Sequence, residues 1–428
     1  GAGYFALALN WIVEPFMVDA PTYGWMAPFA LVGLSFGMAL FWAAACGIGM
    51  LARRPLVGLV TVLAAAELLR GYVLTGFPWA MIGHIWIDTP PMQLAAVVGP
   101  SGLTLVTLAI CGLAATLQNT EFRIAIIMAF AIWTFGDSQL ASTAPPTSGL
   151  MLRLVQPDAP QDAKWDPDHA QLFFQRLMQS TSAPGRVDLV IWPETALPYL
   201  LIDNPDLPAL IGAAGHGAPV AVGLQRVDGA RGFNTLQVFA SDGSTIATYD
   251  KHHLVPFGEY IPFGDLAYDW FGLKAFAAQT GHAYSAGPGP QVLDLGRLGK
   301  TLPLICYEAV FPQDLRTSTR PDWLLQITND AWFGTLSGPF QHAAQARLRA
   351  VEQGLPLVRV ANTGVTEMVD ARGRVTASLP FGEPGYLDTL LPGPLPATLY
   401  AQYGEIPVLL LLAALAIAAM VKRRPRTA

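Results

Sequence analysis

The charges of this chain are distributed in a way that few folds can accommodate. The first 138 of its 428 residues carry only Glu14, Asp19, Arg53, Arg54, Glu67, Arg70, Asp88, Glu121, Arg123 and Asp137, and the first lysine is Lys164. A helix that crosses a bilayer needs about 20 consecutive apolar residues. Stretches at 27–51, 55–76, 93–117, 122–138 and 405–421 qualify. Residues 1–18 read as the end of a further span. The chain opens at Gly1 inside apolar sequence, so the expectation is that helices preceding it are missing. From 139 to 403 the composition is that of a globular domain. The predicted organisation is a transmembrane bundle over 1–138, a globular domain over 149–395 and a membrane helix over 404–422. Charged residues make up 13% of the whole chain and mean hydropathy is +0.39, too apolar for an ordinary soluble protein.

Orientation follows from the basic residues. Arg53 and Arg54, Arg123, and the Lys422–Arg426 cluster fall on one side when spans are counted alternately, and the positive-inside rule makes that side cytoplasmic. The large domain then lies outside, in the periplasm of a Gram-negative cell. Tyr72, Trp79 and Trp86 fit an aromatic belt at that outer interface. Glu67 and Arg70, three apart on one helix face, read either as a local ion pair or as part of a lipid-presenting bundle. The formal net charge of −6 and the lack of a basic aromatic patch argue against nucleic acid.

The globular region alternates strand-like and helix-like segments. Strands are predicted at 150–155, 187–192, 219–224, 234–240, 245–249, 302–306, 323–328, 355–361 and 366–370. Helices are predicted at 169–179 and 341–353, the second stopped by Gly354. Several strands are continuously apolar, as in sheets covered on both faces. The fold class is α/β plus membrane helices.

Three cysteines make no disulfide framework. Cys46 and Cys111 lie within apolar segments and are expected to be buried and inert. Cys306 differs, because it closes the strand Thr301–Cys306. Glu194 follows the strand 187–192, and Lys251 follows the strand 245–249. A carboxylate, an ammonium and a thiol at strand ends can converge on one rim of a sheet, where catalytic groups collect in α/β proteins. Acyl transfer through a thioester needs such a base, oxyanion stabiliser and nucleophile. His252 and His253 have no third ligand at a spacing suited to zinc, so no metal is expected.

Trp192-Pro-Glu-Thr195, Lys251-His-His-Leu-Val-Pro-Phe-Gly-Glu-Tyr260 and Ile305-Cys-Tyr-Glu308 resemble the nitrilase superfamily with its Glu-Lys-Cys triad. Three further motifs, Glu67–Trp79, Gln156–Trp165 and Thr328–Gly334, resemble its membrane-bound branch, the apolipoprotein N-acyltransferase family. The resemblance covers essentially the whole chain. It implies a nitrilase-like α-β-β-α sandwich on a transmembrane helical bundle, with no cofactor. It also implies transfer of an acyl chain from a membrane phospholipid, typically phosphatidylethanolamine, to the α-amine of a diacylglyceryl-cysteine apolipoprotein. The expected setting is a monomer in the bacterial inner membrane, its catalytic domain periplasmic.

On this resemblance Glu194 is the general base, Cys306 the nucleophile and Lys251 the oxyanion stabiliser, helped by the backbone N–H of Tyr307. Glu259 orients Lys251, and Tyr307 and Glu308 shape the nucleophile's pocket. Trp165 lines the acyl pocket or pins a loop. Asp330 is given no catalytic weight. The aromatic stretch 254–290, with Trp270 and Phe271, reads as an arm gating lipid entry, and Trp332 and Phe333 as part of a second such loop. Trp79 is a further tentative lipid contact. Two alternatives stay open: a membrane-tethered amidase using water as acceptor, and a binding or transport protein with a degenerate domain.

Overall fold

The computed structural model describes residues 1–143, 145–262 and 283–421. It contains two compact units. One comprises Gly1–Ala144, Val351–Gly354 and Pro396–Ala428; the other comprises Pro145–Ala350 and Leu355–Leu395.

The first unit is helical. Ala20–Met50, Pro90–Ala115 and Asn119–Ala141 are long and apolar enough to cross a membrane. Two expected spans are shorter. The Pro55–Arg70 helix has 16 residues and the Ile406–Met420 helix has 15. The first of these stops early because the chain turns back on it. The Arg70 guanidinium donates to the carbonyls of Phe77 and Trp79, both at 2.6 Å. Residues 1–18 also differ from expectation. They form a helix Ala2–Ala8, a 3-10 turn Asn10–Val13 and a short helix Glu14–Met17 containing Pro15. The Ala27–Met50 and Pro55–Arg70 helices cross closely at Gly58, where an added Cβ would lie 2.4 Å from the Gly49 carbonyl oxygen. Small residues at such crossings let helix backbones approach.

Glu67 and Arg70 form a two-point ion pair, Nε–Oε1 at 3.2 Å and Nη2–Oε2 at 3.0 Å, with both side chains 0% exposed. Glu67 also accepts from Trp42 Nε1 at 2.7 Å and from the Ile82 N–H at 3.2 Å. The pair therefore fastens the returning 71–82 segment to its helix. Removing one partner of such a pair strands a buried charge, at a cost of about 3–5 kcal/mol. Glu67→Ala is expected to lower the thermal unfolding midpoint in detergent strongly, and an unchanged midpoint would show that the pair stabilises nothing.

Two expectations for this unit need correction. Trp79 is 1% exposed and packs on Trp11 with ring centroids 4.6 Å apart, so it is no member of an interfacial belt. Cys46 and Cys111 are exposed rather than buried. A spanning helix is apolar on its outer face too, so apolar flanks do not imply burial there.

Among the described residues the second unit contains twelve strands: β1 Met151–Gln156, β2 Leu189–Ile191, β3 Val220–Asp228, β4 Arg231–Phe239, β5 Thr245–Asp250, β6 Leu293–Asp294, β7 Lys300–Ile305, β8 Trp323–Thr328, β9 Leu357–Ala361, β10 Glu367–Val369, β11 Val375–Ser378 and β12 Gly385–Leu390. They form two six-stranded mixed sheets, ordered β12-β1-β2-β3-β4-β5 and β11-β10-β9-β8-β7-β6. The centre of each is parallel, β1-β2-β3 in one and β7-β8-β9 in the other, with antiparallel flanks.

Helices cover the outer faces. Leu177 of Pro167–Thr181 and Ile211 of Leu207–Ala214 pack with Val155, Val190, Trp192 and Val222 of the first sheet. Ala346 and Ala350 of Gly338–Gln353 pack with Leu302, Leu304, Leu324 and Leu357 of the second. The sheets face each other, β1 near β9 and β4 near β7. The result is an α-β-β-α sandwich, and its double coverage explains why β8 is buried along its whole length.

Candidate active site

The site is assembled at strand ends, and the three reactive groups come from two sheets rather than one rim. β2 stops at Ile191 because Pro193 cannot donate to a ladder, and the chain then turns through Glu194 and Thr195, the latter at φ +44°. β3 lies directly beneath this turn. A Cβ at Gly223 would sit 2.1 Å from the Pro193 carbonyl oxygen and 2.7 Å from Glu194 Cα. Lys251 follows β5, which runs in the same direction as β2. Cys306 follows β7 in the second sheet and opens the 3-10 turn Cys306–Val310 with φ +52°. A non-glycine residue in the left-handed region is strained and is held there by its surroundings.

Those surroundings include two buried donors on the Cys306 carbonyl, Gln326 Nε2 at 3.2 Å and His342 Nε2 at 3.0 Å. His342 Nδ1 lies 2.9 Å from Asp330 Oδ1, and Asp330 Oδ2 accepts from Arg359 at 2.7 Å. Asp330 thus belongs to the network beneath the Cys306 backbone. Burial alone would raise its carboxyl, but Arg359 and the hydrogen bond to His342 outweigh burial and hold it below the usual range.

Glu194, Lys251 and Glu259 form one buried cluster. Lys251 Nζ is 2.8 Å from Glu259 Oε2 and 3.8 Å from Glu194 Oε1. Asn234 on β4 donates its amide to Glu194 Oε1 at 2.7 Å and to Glu259 Oε1 at 3.1 Å. The Asn329 backbone N–H donates to Glu194 Oε2 at 2.7 Å. Glu259 is fixed by the Val255 N–H at 2.9 Å.

Burial pushes the Glu194 carboxyl up against the pull of Lys251. Burial, then the Glu194 charge, push the Cys306 thiol well above its ordinary value. Burial alone would lower Lys251, but Glu259, Glu194 and Cys306 outweigh it and raise the ammonium. The ensemble is a protonated thiol beside a carboxylate with enhanced proton affinity and a permanently charged ammonium. That combination suits proton transfer to and from sulfur.

Glu308 links the two sheets. Its Oε2 accepts the Ile305 N–H at 2.7 Å. Its Oε1 accepts Tyr249 Oη at 3.0 Å and the N–H groups of His252 and His253 at 2.8 and 3.2 Å. The turn bearing Cys306 is thereby tied to the segment bearing Lys251. Tyr307 is buried, with its ring edge-on to Phe311 and His253.

The remaining expected contacts are dispersed. Phe333 is buried edge-on to His342, and Trp332 is half-buried. Trp165 is half-buried under Lys164 Nζ, 5.3 Å from its ring centroid. Trp270 and Phe271, and most of the 254–290 arm, lie outside the described residues. Sequence reasoning missed Lys164, Asn234, Asn329, Gln326 and His342. It also found no third partner for the histidines. The fold supplies Asp314, whose Oδ2 is 2.8 Å from His253 Nδ1 and 3.4 Å from His252 Nε2. Asp314 and Glu308 together lift His252 to about 9 against the effect of burial. The three side chains could hold a metal, and their mutual ion pairs also account for the cluster.

Asn234 gives a test of the electrostatics. Its hydrogen bond favours the ionised form of Glu194. In Asn234→Leu the carboxyl is expected to rise further, so the acid limb of Cys306 reactivity should move to higher pH. A pH profile of alkylation at the Cys306 peptide checks this, and an unmoved limb would contradict it.

The fold and the buried Glu, Lys and Cys define a class. The carbon-nitrogen hydrolase family matches residues 152–393, and the apolipoprotein N-acyltransferase N-terminal domain matches residues 1–113. An apolipoprotein N-acyltransferase of Rhodopseudomonas palustris is 39% identical, covering 99% of this chain and 85% of its own. One from Caulobacter vibrioides is 37% identical over 96% and 82%. A solved CN-hydrolase superfamily protein from Xanthomonas campestris superposes with a TM-score of 0.43 at 21% identity, over 61% of this chain and 96% of that one. The chain belongs to the apolipoprotein N-acyltransferase family.

Proposed function

We propose that this protein takes an acyl chain from a membrane phospholipid, holds it as a thioester on Cys306, and transfers it to the N-terminal α-amine of a diacylglyceryl-cysteine apolipoprotein. The observation that carries this reading is the buried cluster of Glu194, Lys251 and Glu259 that acts on the Cys306 thiol, in a member of this family.

The chemistry balances in two halves. Glu194 accepts the thiol proton as Sγ attacks the phospholipid ester carbonyl. The negative charge that develops on that oxygen is stabilised by Lys251 and by the Tyr307 backbone N–H. The intermediate collapses and the C–O bond breaks. The lysophospholipid oxygen leaves with the proton held by Glu194. In the second half the neutral apolipoprotein amine attacks the thioester, Glu194 takes its proton, the C–S bond breaks and the thiolate recovers that proton. Glu259 keeps Lys251 charged and in place, and Glu308 keeps the nucleophile's turn in register with it. No cofactor enters either half.

The domain reading follows the same proposal. Residues 1–138 and 404–422 lie in the bacterial inner membrane, and residues 149–395 form a catalytic domain on the periplasmic side of a monomer. Phosphatidylethanolamine is the proposed donor. Three long apolar helices and the basic residues at 53, 54 and 123 support a multi-pass arrangement.

Incubating the purified protein with radiolabelled phosphatidylethanolamine and a diacylglyceryl peptide tests the reading. Label on the enzyme and then on the peptide is the expected result. Release of free fatty acid alone would favour a membrane-tethered hydrolase, and no turnover would leave a binding protein.

A further inference from the structure

The mechanism leaves the buried Lys164 unused. Lys164 is 2% exposed. Its Nζ donates to Thr195 Oγ1 at 2.7 Å and to the Glu194 carbonyl at 3.3 Å, and both acceptors are neutral. Lys251 has carboxylates at 2.8 and 3.8 Å, whereas no carboxylate among the described residues forms an ion pair with Lys164. An ammonium buried without a counter-ion is costly, and such groups neutralise or persist for a functional reason.

Its place in the chain is equally specific. Lys164 ends the turn that starts at Pro160, where its N–H donates to the Pro160 carbonyl at 2.8 Å. That loop is anchored through Gln161, which accepts from Asn329 Nδ2 at 2.7 Å, and Asn329 donates its own N–H to Glu194. Lys164 grips the turn at Glu194 and Thr195, where the backbone is strained. The ionisable groups that act on it are Glu194 and Cys306, and the Trp165 ring lies against it.

We propose that Lys164 is a positioning residue acting through Glu194: it clamps the turn that carries this carboxylate, and its charge adds to that of Lys251 in favouring the ionised carboxylate. The proposal rests on the reading of Glu194 as the base. Burial lowers Lys164 to about 7, while Glu194 and Cys306 pull the other way. Its ammonium form in turn favours Glu194 ionised. Around neutral pH the site therefore exchanges between two states. With Lys164 charged, the carboxylate and the thiolate are both easier to form. With Lys164 neutral, both become harder.

The test separates charge from clamp. Cys46 and Cys111 are exposed, so alkylation by a small maleimide is followed at the Cys306 peptide by mass spectrometry across pH. Lys164→Gln removes the charge and keeps a donor, and Lys164→Met removes both. Thr195→Val removes the hydrogen bond and keeps the charge. The midpoint of the acid limb of alkylation, which follows Glu194, is expected to rise by about one pH unit in both Lys164 variants, with acylation by phospholipid slowed up to roughly tenfold at pH 7. In Thr195→Val the midpoint is expected to stay where it is, whatever happens to the rate. Should Lys164→Met fail to fold, Lys164→Gln still reports the effect of charge. An unmoved midpoint in Lys164→Gln, with or without a slower rate, overturns the electrostatic role and leaves a structural brace. Alkylation needs no phospholipid, so this result stands apart from the reaction itself. Wild-type protein that alkylates normally but never acylates would overturn the proposed function and not the role of Lys164.

Discussion

Cys306→Ala is expected to abolish the acyl adduct and all transfer to peptide. Without Sγ no thioester can form, and water or an amine has no activated acyl group to attack. Intact-mass analysis of wild-type protein after exposure to phospholipid vesicles should show one acyl increment, labile to hydroxylamine as a thioester is. The substituted protein should show none. Because Cys306 is small and buried, alanine leaves the strand and the 3-10 turn intact, so folding controls should match wild type. An adduct that survives the substitution and still passes to peptide would place the nucleophile elsewhere, whereas one on the exposed Cys46 or Cys111 that does not transfer is a side reaction.

The second large effect is expected at Lys251. Lys251→Met keeps much of the side chain's volume and removes the cation proposed to face the developing oxyanion. Loss of one such donor costs about 3–4 kcal/mol, roughly 100- to 1000-fold in rate. Glu194 and Glu259 would also be left together in a buried site without their shared cation. The acylation step should therefore collapse while the Cys306 thiol remains present by mass. Glu259→Gln should fall less, because glutamine still accepts the Val255 N–H and acts only through Lys251. Single-turnover acylation rates for the three proteins decide the matter, and a wild-type rate in Lys251→Met would remove Lys251 from the chemistry.

Much of the sandwich is legible from local pattern. β3 and β8 are apolar runs buried by double coverage, and their limits were predicted within a few residues. β12 escaped notice because its residues alternate between half-buried and exposed at the edge of the first sheet, so polar positions interrupt the apolar signal. β11 is almost fully exposed and offers no apolar signal at all. The short helix Leu207–Ala214 was missed as well, because eight residues are too few for a clear helical period.

Within the candidate site, Glu194, Lys251, Glu259 and Cys306 were legible because each sits in a recognisable run of neighbours. Their support was not. Asn329 reaches Glu194 through its backbone N–H, which every residue but proline carries, so no side-chain pattern records it. His342 lies 36 residues after Cys306, on a helix whose apolar periodicity gave no hint that one polar position faces the nucleophile's carbonyl. Asp330 has no catalytic weight in the sequence, and in the fold it bonds His342 beneath that carbonyl.

What this sequence determined alone was the partition between apolar helices and globular domain, the positions of most strands, and the reactive residues at their ends. Those depend on local quantities: the run length a bilayer demands, the period of burial, and the chemistry of individual side chains. Only the tertiary structure decided that Glu194 and Lys251 come from one sheet and Cys306 from the other, and that a second lysine, Lys164, is buried beside Glu194. It also decided the charge each group carries. Proton affinity follows from burial and from neighbours a few ångströms away. Here those neighbours lie far apart in the chain, 135 residues for Asn329 and Glu194, so their effect exists only once the two sheets have packed.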